Sequence, residues 1–251
     1  MKVSTCASAL LTAAALHGGA ARSEVGEPVL VTAPVDRAYV PMGFDNNDNV
    51  EVIVHGVFAN TCYKVGPAKA SVDYATSTIA VEATAYVYPG LNCATVMVPF
   101  TESVSVGMVR PGTYRVLVQD RPQTQSTELV IARATTESAD DFLYAPVDLA
   151  SLDTHTNGAN VIRIEGSYPF TFVGCMTVKE VRIQRTPGNV LVVQPIAELL
   201  TGGSVCDAQR GSKSFKIETP VQGSLESGDY LIHVRALSGR SVNRFATLDP
   251  R

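Results

Sequence analysis

Tryptophan is absent from the 251 residues, which removes the largest aromatic ring on which a sugar or base could stack. No apolar run reaches the ~20 residues that a membrane-crossing helix needs. The sequence carries no H-E-x-x-H or G-x-S-x-G motif, and no Gly-rich phosphate loop follows a strand. Short C-x2-C pairs are missing as well, so the cysteines do not have the spacing of a zinc site. Histidine is scarce beyond the first 21 residues, where His55, His155 and His233 are all there is. These absences argue against an enzyme, and no cofactor is expected.

What the chain does have begins with a charged start, Met1 and Lys2, then an apolar stretch over residues 7–16 and small residues up to Ala20 and Ala21. This is the layout of a cleaved signal peptide, residues 1–21. Cys6 lies inside it, and Val3, Ser4 and Thr5 do not form a lipid-acceptor pattern. The expectation is a periplasmic or secreted protein with no membrane span in its mature chain.

An exported chain favours disulfides, and Cys62, Cys93, Cys175 and Cys206 remain after the leader. The separation from Cys62 to Cys93 is 31, and it is 31 again from Cys175 to Cys206, which selects two local bridges. That equality is part of a longer internal repeat. Ala33, Pro34, Val35 and Asp36 recur as Ala145, Pro146, Val147 and Asp148, while Val52, Val54 and Gly56 correspond to Ile162, Ile164 and Gly166. Gly107, Gly112, Tyr114, Val116 and Val118 recur with identical spacing as Gly223, Gly228, Tyr230, Ile232 and Val234. Two domains follow, residues 22–137 and 138–251, joined by a polar linker at 134–141 short enough to restrict their angle.

Each copy is patterned as short strands. Segments 50–54, 79–87, 114–118 and 129–132 are rich in β-branched residues, as are 161–164, 178–183, 190–193 and 230–234. Pro89-Gly90, Pro111-Gly112 and Pro187-Gly188-Asn189 punctuate them. One helical turn is expected at 196–201. About seven strands per copy resembles the broad immunoglobulin-like class. The resemblance implies two tandem immunoglobulin-like antiparallel β-sandwich domains, each with one intradomain disulfide. The core tryptophan of antibody-type domains is missing, and a separation of 31 is short for their bridge between sheets. The midpoint of the second pair falls near the Pro187 turn, so its disulfide is expected to clip the open end of a hairpin. Closing such a loop stabilises the fold by roughly 3–4 kcal/mol in the chain-entropy model.

Loss of Lys2 with the leader leaves 19 basic against 24 acidic side chains, net −5, which argues against nucleic acid as a partner. The final strands run the other way, with His233, Arg235, Arg240, Arg244 and Arg251 against Asp249 alone. If Tyr230, Ile232 and Val234 face the core, strand alternation turns His233 and Arg235 outward. His233, Arg235, Arg240 and Arg244 are therefore the candidate partner-binding residues, the alternative being a solvated edge whose arginines block aggregation. Tyr86 and Tyr88 share one strand face and form a candidate aromatic surface. Asp45 and Asp48, in the stretch 44–49, offer oxygens to Ca2+, but the spacing is not that of an EF-hand and such residues are ordinary in turns, so no metal is assigned. The functional expectation is a non-enzymatic protein-binding or structural module of the bacterial envelope whose partner is another envelope or extracellular protein. The alternatives are an extracellular hydrolase, a protease inhibitor or a glycan-binding surface protein.

Overall fold

The computed structural model describes residues 26–119, 126–154, 159–200 and 211–249. The expected leader with Cys6, and also His155, Cys206 and Arg251, lie outside the described residues. Among the described residues nine strands form the N-terminal half: β1 (Val29–Thr32), β2 (Val35–Tyr39), β3 (Phe44–Asp45), β4 (Val50–Phe58), β5 (Tyr63–Asp73), β6 (Thr78–Val87), β7 (Val98–Gly107), β8 (Gly112–Val118) and β9 (Thr127–Ala132). The C-terminal half holds β10 (Val147–Thr154), β11 (Asn160–Ser167), β12 (Met176–Thr186), β13 (Val190–Leu199), β14 (Ser214–Pro220), β15 (Gly228–Ala236) and β16 (Arg240–Leu248).

Alternation explains most of these strands. In β6, Ile79, Val81, Ala83 and Ala85 are buried while Ala80, Glu82, Thr84 and Tyr86 are not, so one face meets a core and the other does not. That core lies between two sheets, β2-β4-β7 and a larger sheet in which β5 and β8 flank β6 and β9 follows β8. Val52, Val54 and Phe100 from the first sheet pack with Ile79, Tyr114, Val116 and Leu129 from the second. The same order occurs in the C-terminal half, where β10-β11-β14 faces β12-β13-β15-β16 across Ile162, Ile164, Leu191, Tyr230 and Ile232.

Not every neighbour is antiparallel. β6 pairs with β8 in parallel and β13 with β15 likewise, because the intervening β7 or β14 belongs to the opposite sheet and brings the chain back in its original direction. The edge of β6 that β8 leaves free is filled by β1, and the matching edge of β13 takes Tyr144 opposite Ile196.

Close approach fixes two glycines. A Cβ at Gly56 would overlap the carbonyl oxygen of Pro34 and the Phe100 ring, and one at Gly166 would overlap that of Pro146 and the Phe215 ring. The β7–β8 and β14–β15 connections share another device. Tyr114 Oη donates to the carbonyl of Arg110 at 2.9 Å and Tyr230 Oη to that of Glu226 at 3.1 Å.

Cys62 and Cys93 are disulfide-bonded, with Cα atoms 5.4 Å apart, and they join the open end of the β5–β6 hairpin. Cys175 is buried just before β12, and its expected partner is beyond the described residues. The helical turn expected at 196–201 is corrected up to Leu199. β13 stays extended there because Met176 and Thr177 of β12 pair with Leu199 and Glu198, and the Leu200 N–H donates to the Cys175 carbonyl at 2.7 Å.

Candidate functional site

Strands β13 and β15 depart furthest from alternation. In β15 every residue from Tyr230 to Ala236 is buried, and in β13 the run Val190–Val193 is buried on both faces. A sheet strand reads this way only when both faces are covered. The second cover comes from the N-terminal half. The outer face of β12-β13-β15-β16 lies on the outer face of β2-β4-β7, and Val190, Val192 and Leu231 pack with Tyr39 and Ile53, bordered by Phe245. The Tyr39 and Phe245 rings meet edge to face with centroids 5.0 Å apart. Beside this apolar patch His55 stacks on Phe245 at 4.4 Å, and Arg37 pairs with Asp229 at 3.0 Å.

His233 and Arg235 point away from their own core, as alternation requires, but into this junction rather than into solvent. His233 is 1% exposed and Arg235 is 7% exposed. Arg235 reaches across to β3 and the residues on either side of it. Its Nη2 donates to the Gly43 carbonyl at 2.5 Å, its Nη1 lies 3.4 Å from Asp48 Oδ2, and its guanidinium sits 4.7 Å over the Phe44 ring. His233 Nδ1 lies 2.9 Å from Asn243 Oδ1 and 3.3 Å from Glu51 Oε1. The expectation of an exposed basic edge is corrected for these two residues, since a neighbouring sheet occupies the space it required.

Arg240 and Arg244 remain exposed. Arg240 borders a cavity of about 20 Å³ lined also by Phe44, Asp48, Glu51, Asp140 and His233. Arg244 is apart from that group. It pairs with Ile232, on the face that carries the core, so on edge strand β16 it is an inward-register charge of the kind that opposes edge-to-edge pairing.

Asp45 and Asp48, the candidate Ca2+ ligands, are buried and already engaged. Asp48 Oδ2 accepts the Asp45 N–H at 2.9 Å and faces Arg235, while Asp45 Oδ1 accepts the Asn47 N–H at 3.1 Å. Burial holds the Asp48 carboxyl above the ordinary value, partly offset by the Asp45 N–H and Arg235. The rest of the turn clasps the linker. Asn46 Oδ1 accepts the Ala134 N–H at 2.7 Å, and Asn47 Nδ2 donates to the carbonyls of Thr136 and Ser138. Asp140 then accepts the Gly239 N–H at 3.2 Å, tying the linker to the C-terminal half. Among the described residues no group of three or more metal-ligating side chains converges.

Tyr86 and Tyr88 lie far from the junction, half-buried at the disulfide end. Tyr86 is opposite Leu30 on one side and Lys64 on the other, and the Tyr88 N–H donates to the Cys62 carbonyl at 3.2 Å.

Glu51, Ile53, Tyr39, Asp140 and Phe245 complete the junction without having been singled out from the sequence. A signal was available for some of them. Val52-Ile53-Val54 and Val190-Leu191-Val192-Val193 are unbroken apolar runs, which mark strands buried on both faces.

Residues 52–129 match the family model of the ORF11 beta-sandwich domain. The match begins in β4 and ends in β9, so it takes in strands of both sheets of the N-terminal half. No curated protein and no solved structure matches the chain. No helix among the described residues is long and apolar enough to cross a membrane.

Proposed function

We propose that this is an exported, non-enzymatic structural module of the bacterial envelope that holds two immunoglobulin-like sandwiches at one fixed angle for an envelope or extracellular protein partner. The leader is residues 1–21, and the domains, residues 22–137 and 138–251, are copies of one unit. The repeated Ala-Pro-Val-Asp segment supports the copying, as do the paired glycines at 56 and 166 and the paired tyrosines at 114 and 230. The observation that carries the functional reading is the junction. A buried apolar contact with the buried Arg235–Asp48 pair beside it is a costly thing to build for domains that swing freely.

Arg235 and His233 are spent inside the protein, so a partner meets the outer loops and the angle they are held at. The test is cross-linking in envelope extract with three proteins: the unmodified chain, Ile53→Arg to pry the junction open, and Arg240→Ala with Arg244→Ala to discharge the exposed edge. The reading expects one captured partner that is lost with Ile53→Arg and kept with the arginine pair changed. Capture lost only with the arginine pair would return the function to a binding edge, and equal capture by all three would remove any role for the angle.

A further inference from the structure

His233 is the one histidine among the described residues that is wholly buried, and it is buried between the halves. Its Nδ1 faces two acceptors, Asn243 Oδ1 and Glu51 Oε1. Asn243 Nδ2 donates to Ser241 Oγ at 3.0 Å, and the Glu51 carboxylate, which accepts, stands at the same ring nitrogen. The neutral ring therefore carries its proton on Nδ1. A second proton has to go on Nε2, which is buried and meets no acceptor among the described residues. The Arg235 guanidinium, on the same face two residues along, adds a like charge.

Among the other charged groups at the joint Glu51 from β4 works the other way, since its Oε1 lies 3.3 Å from Nδ1 and its charge favours the protonated ring, but it does not reach Nε2; its Oε2 accepts a hydrogen bond from Ser103. Asp48 faces Arg235, and Asp140 accepts from Gly239. His55 is half-buried with Thr101 as partner, and Arg37–Asp229 is an open rim pair. Arg240 at the cavity mouth is a further cation.

We propose that His233 makes the junction an acid-opened joint: protonation of its ring separates the two halves at this face while each sandwich stays folded. The inference deepens the fixed-angle reading and rests on it. Burial holds the His233 ring below its ordinary value of 6.5, with Glu51 and Asn243 pulling back and Arg235 adding to the fall. Between that lowered value and 6.5 the open form binds the extra proton and the closed form does not, so closure is favoured as pH rises and lost as pH falls. Asp48 and Asp140, held above their ordinary 3.8 by burial, act with the opposite sign and from a lower starting value.

Two ring pairs read the outcome by NMR. Tyr39 and Phe245 meet across the junction, whereas Phe58 and Phe100, 4.3 Å apart, lie within the N-terminal core. The unmodified protein should show both cross-peaks at about pH 7.5 and only the Phe58–Phe100 peak at about pH 5, and His233→Gln should keep both at either pH. A Tyr39–Phe245 peak that persists in the unmodified protein in acid overturns the proposal and leaves the fixed angle standing. So does loss of both peaks together, or the same loss in His233→Gln. If that peak is missing already at about pH 7.5, the fixed-angle reading fails with it. Should His233→Gln not fold, the His233 ring signals decide. A midpoint below 6.5 that coincides with loss of the Tyr39–Phe245 peak supports the joint, and a ring that titrates at or above 6.5 with the peak intact overturns it.

Discussion

Each half has an outer face that the other half covers and a counterpart, in the same register, that meets water. Ile53 lies between core residues Val52 and Val54 and is fully buried at the junction, whereas Arg163, between Ile162 and Ile164, is held by Asp153 at 3.1 Å and Glu218 at 2.8 Å on an open face. Leu231 pairs with Val190 and Phe245, while Arg115 pairs with Thr78 and Glu128. The inner faces of the two halves are alike and the outer faces are not. Ile53 and Leu231 are apolar and covered, and their counterparts Arg163 and Arg115 are charged. The contact joins a three-stranded face to a four-stranded one, a heterologous geometry that without a stop would continue from molecule to molecule. Arg163, Glu165, Lys216 and Glu218 on one free face, with Arg115 and Glu128 on the other, supply charges that oppose such growth.

The sharpest way to break the comparison is Arg235→Ala, which leaves Asp48 buried without its cation. Denaturant unfolding should record a loss of about 3–5 kcal/mol, because removing one partner of a buried pair strands the other. Leu231→Ala should follow at about 2–5 kcal/mol, as for other buried leucines, while Arg115→Ala at its free counterpart should leave the midpoint of thermal unfolding nearly unchanged. Tyr114→Phe and Tyr230→Phe each remove one hydrogen bond within a single half and should cost about 1 kcal/mol apiece, nearly equally. Unequal costs there would mean that the inner architectures differ as well. A similarly small effect is expected at Arg163→Ala, whose open ion pairs should vanish from a melting curve as salt is raised.

Much of the inner architecture was legible because it depends on local pattern. Alternation located β6 and β8, Pro-Gly pairs marked the turns after β6, before β8 and between β12 and β13, and equal cysteine spacing anticipated the Cys62–Cys93 pairing. The junction was legible only in part. Period-two reasoning turned His233 and Arg235 off their own core correctly, but it has no term for another sheet waiting on that side. The parallel β6–β8 pairing was hidden for a related reason. It depends on β7 crossing to the other sheet, which no residue in β6 or β8 records. The turn at 44–49 showed its composition and not its partners, since the atoms its side chains hold are 88 and 91 residues away, in the linker.

Residual dipolar couplings measured for both halves of the unmodified protein near neutral pH test the central claim most directly. If the junction fixes the angle, one alignment tensor fits the N–H vectors of both halves, and Ile53→Arg splits it into two. Two unrelated tensors in the unmodified protein would contradict the account, for the halves would then be reorienting freely and the buried contact would not be holding them.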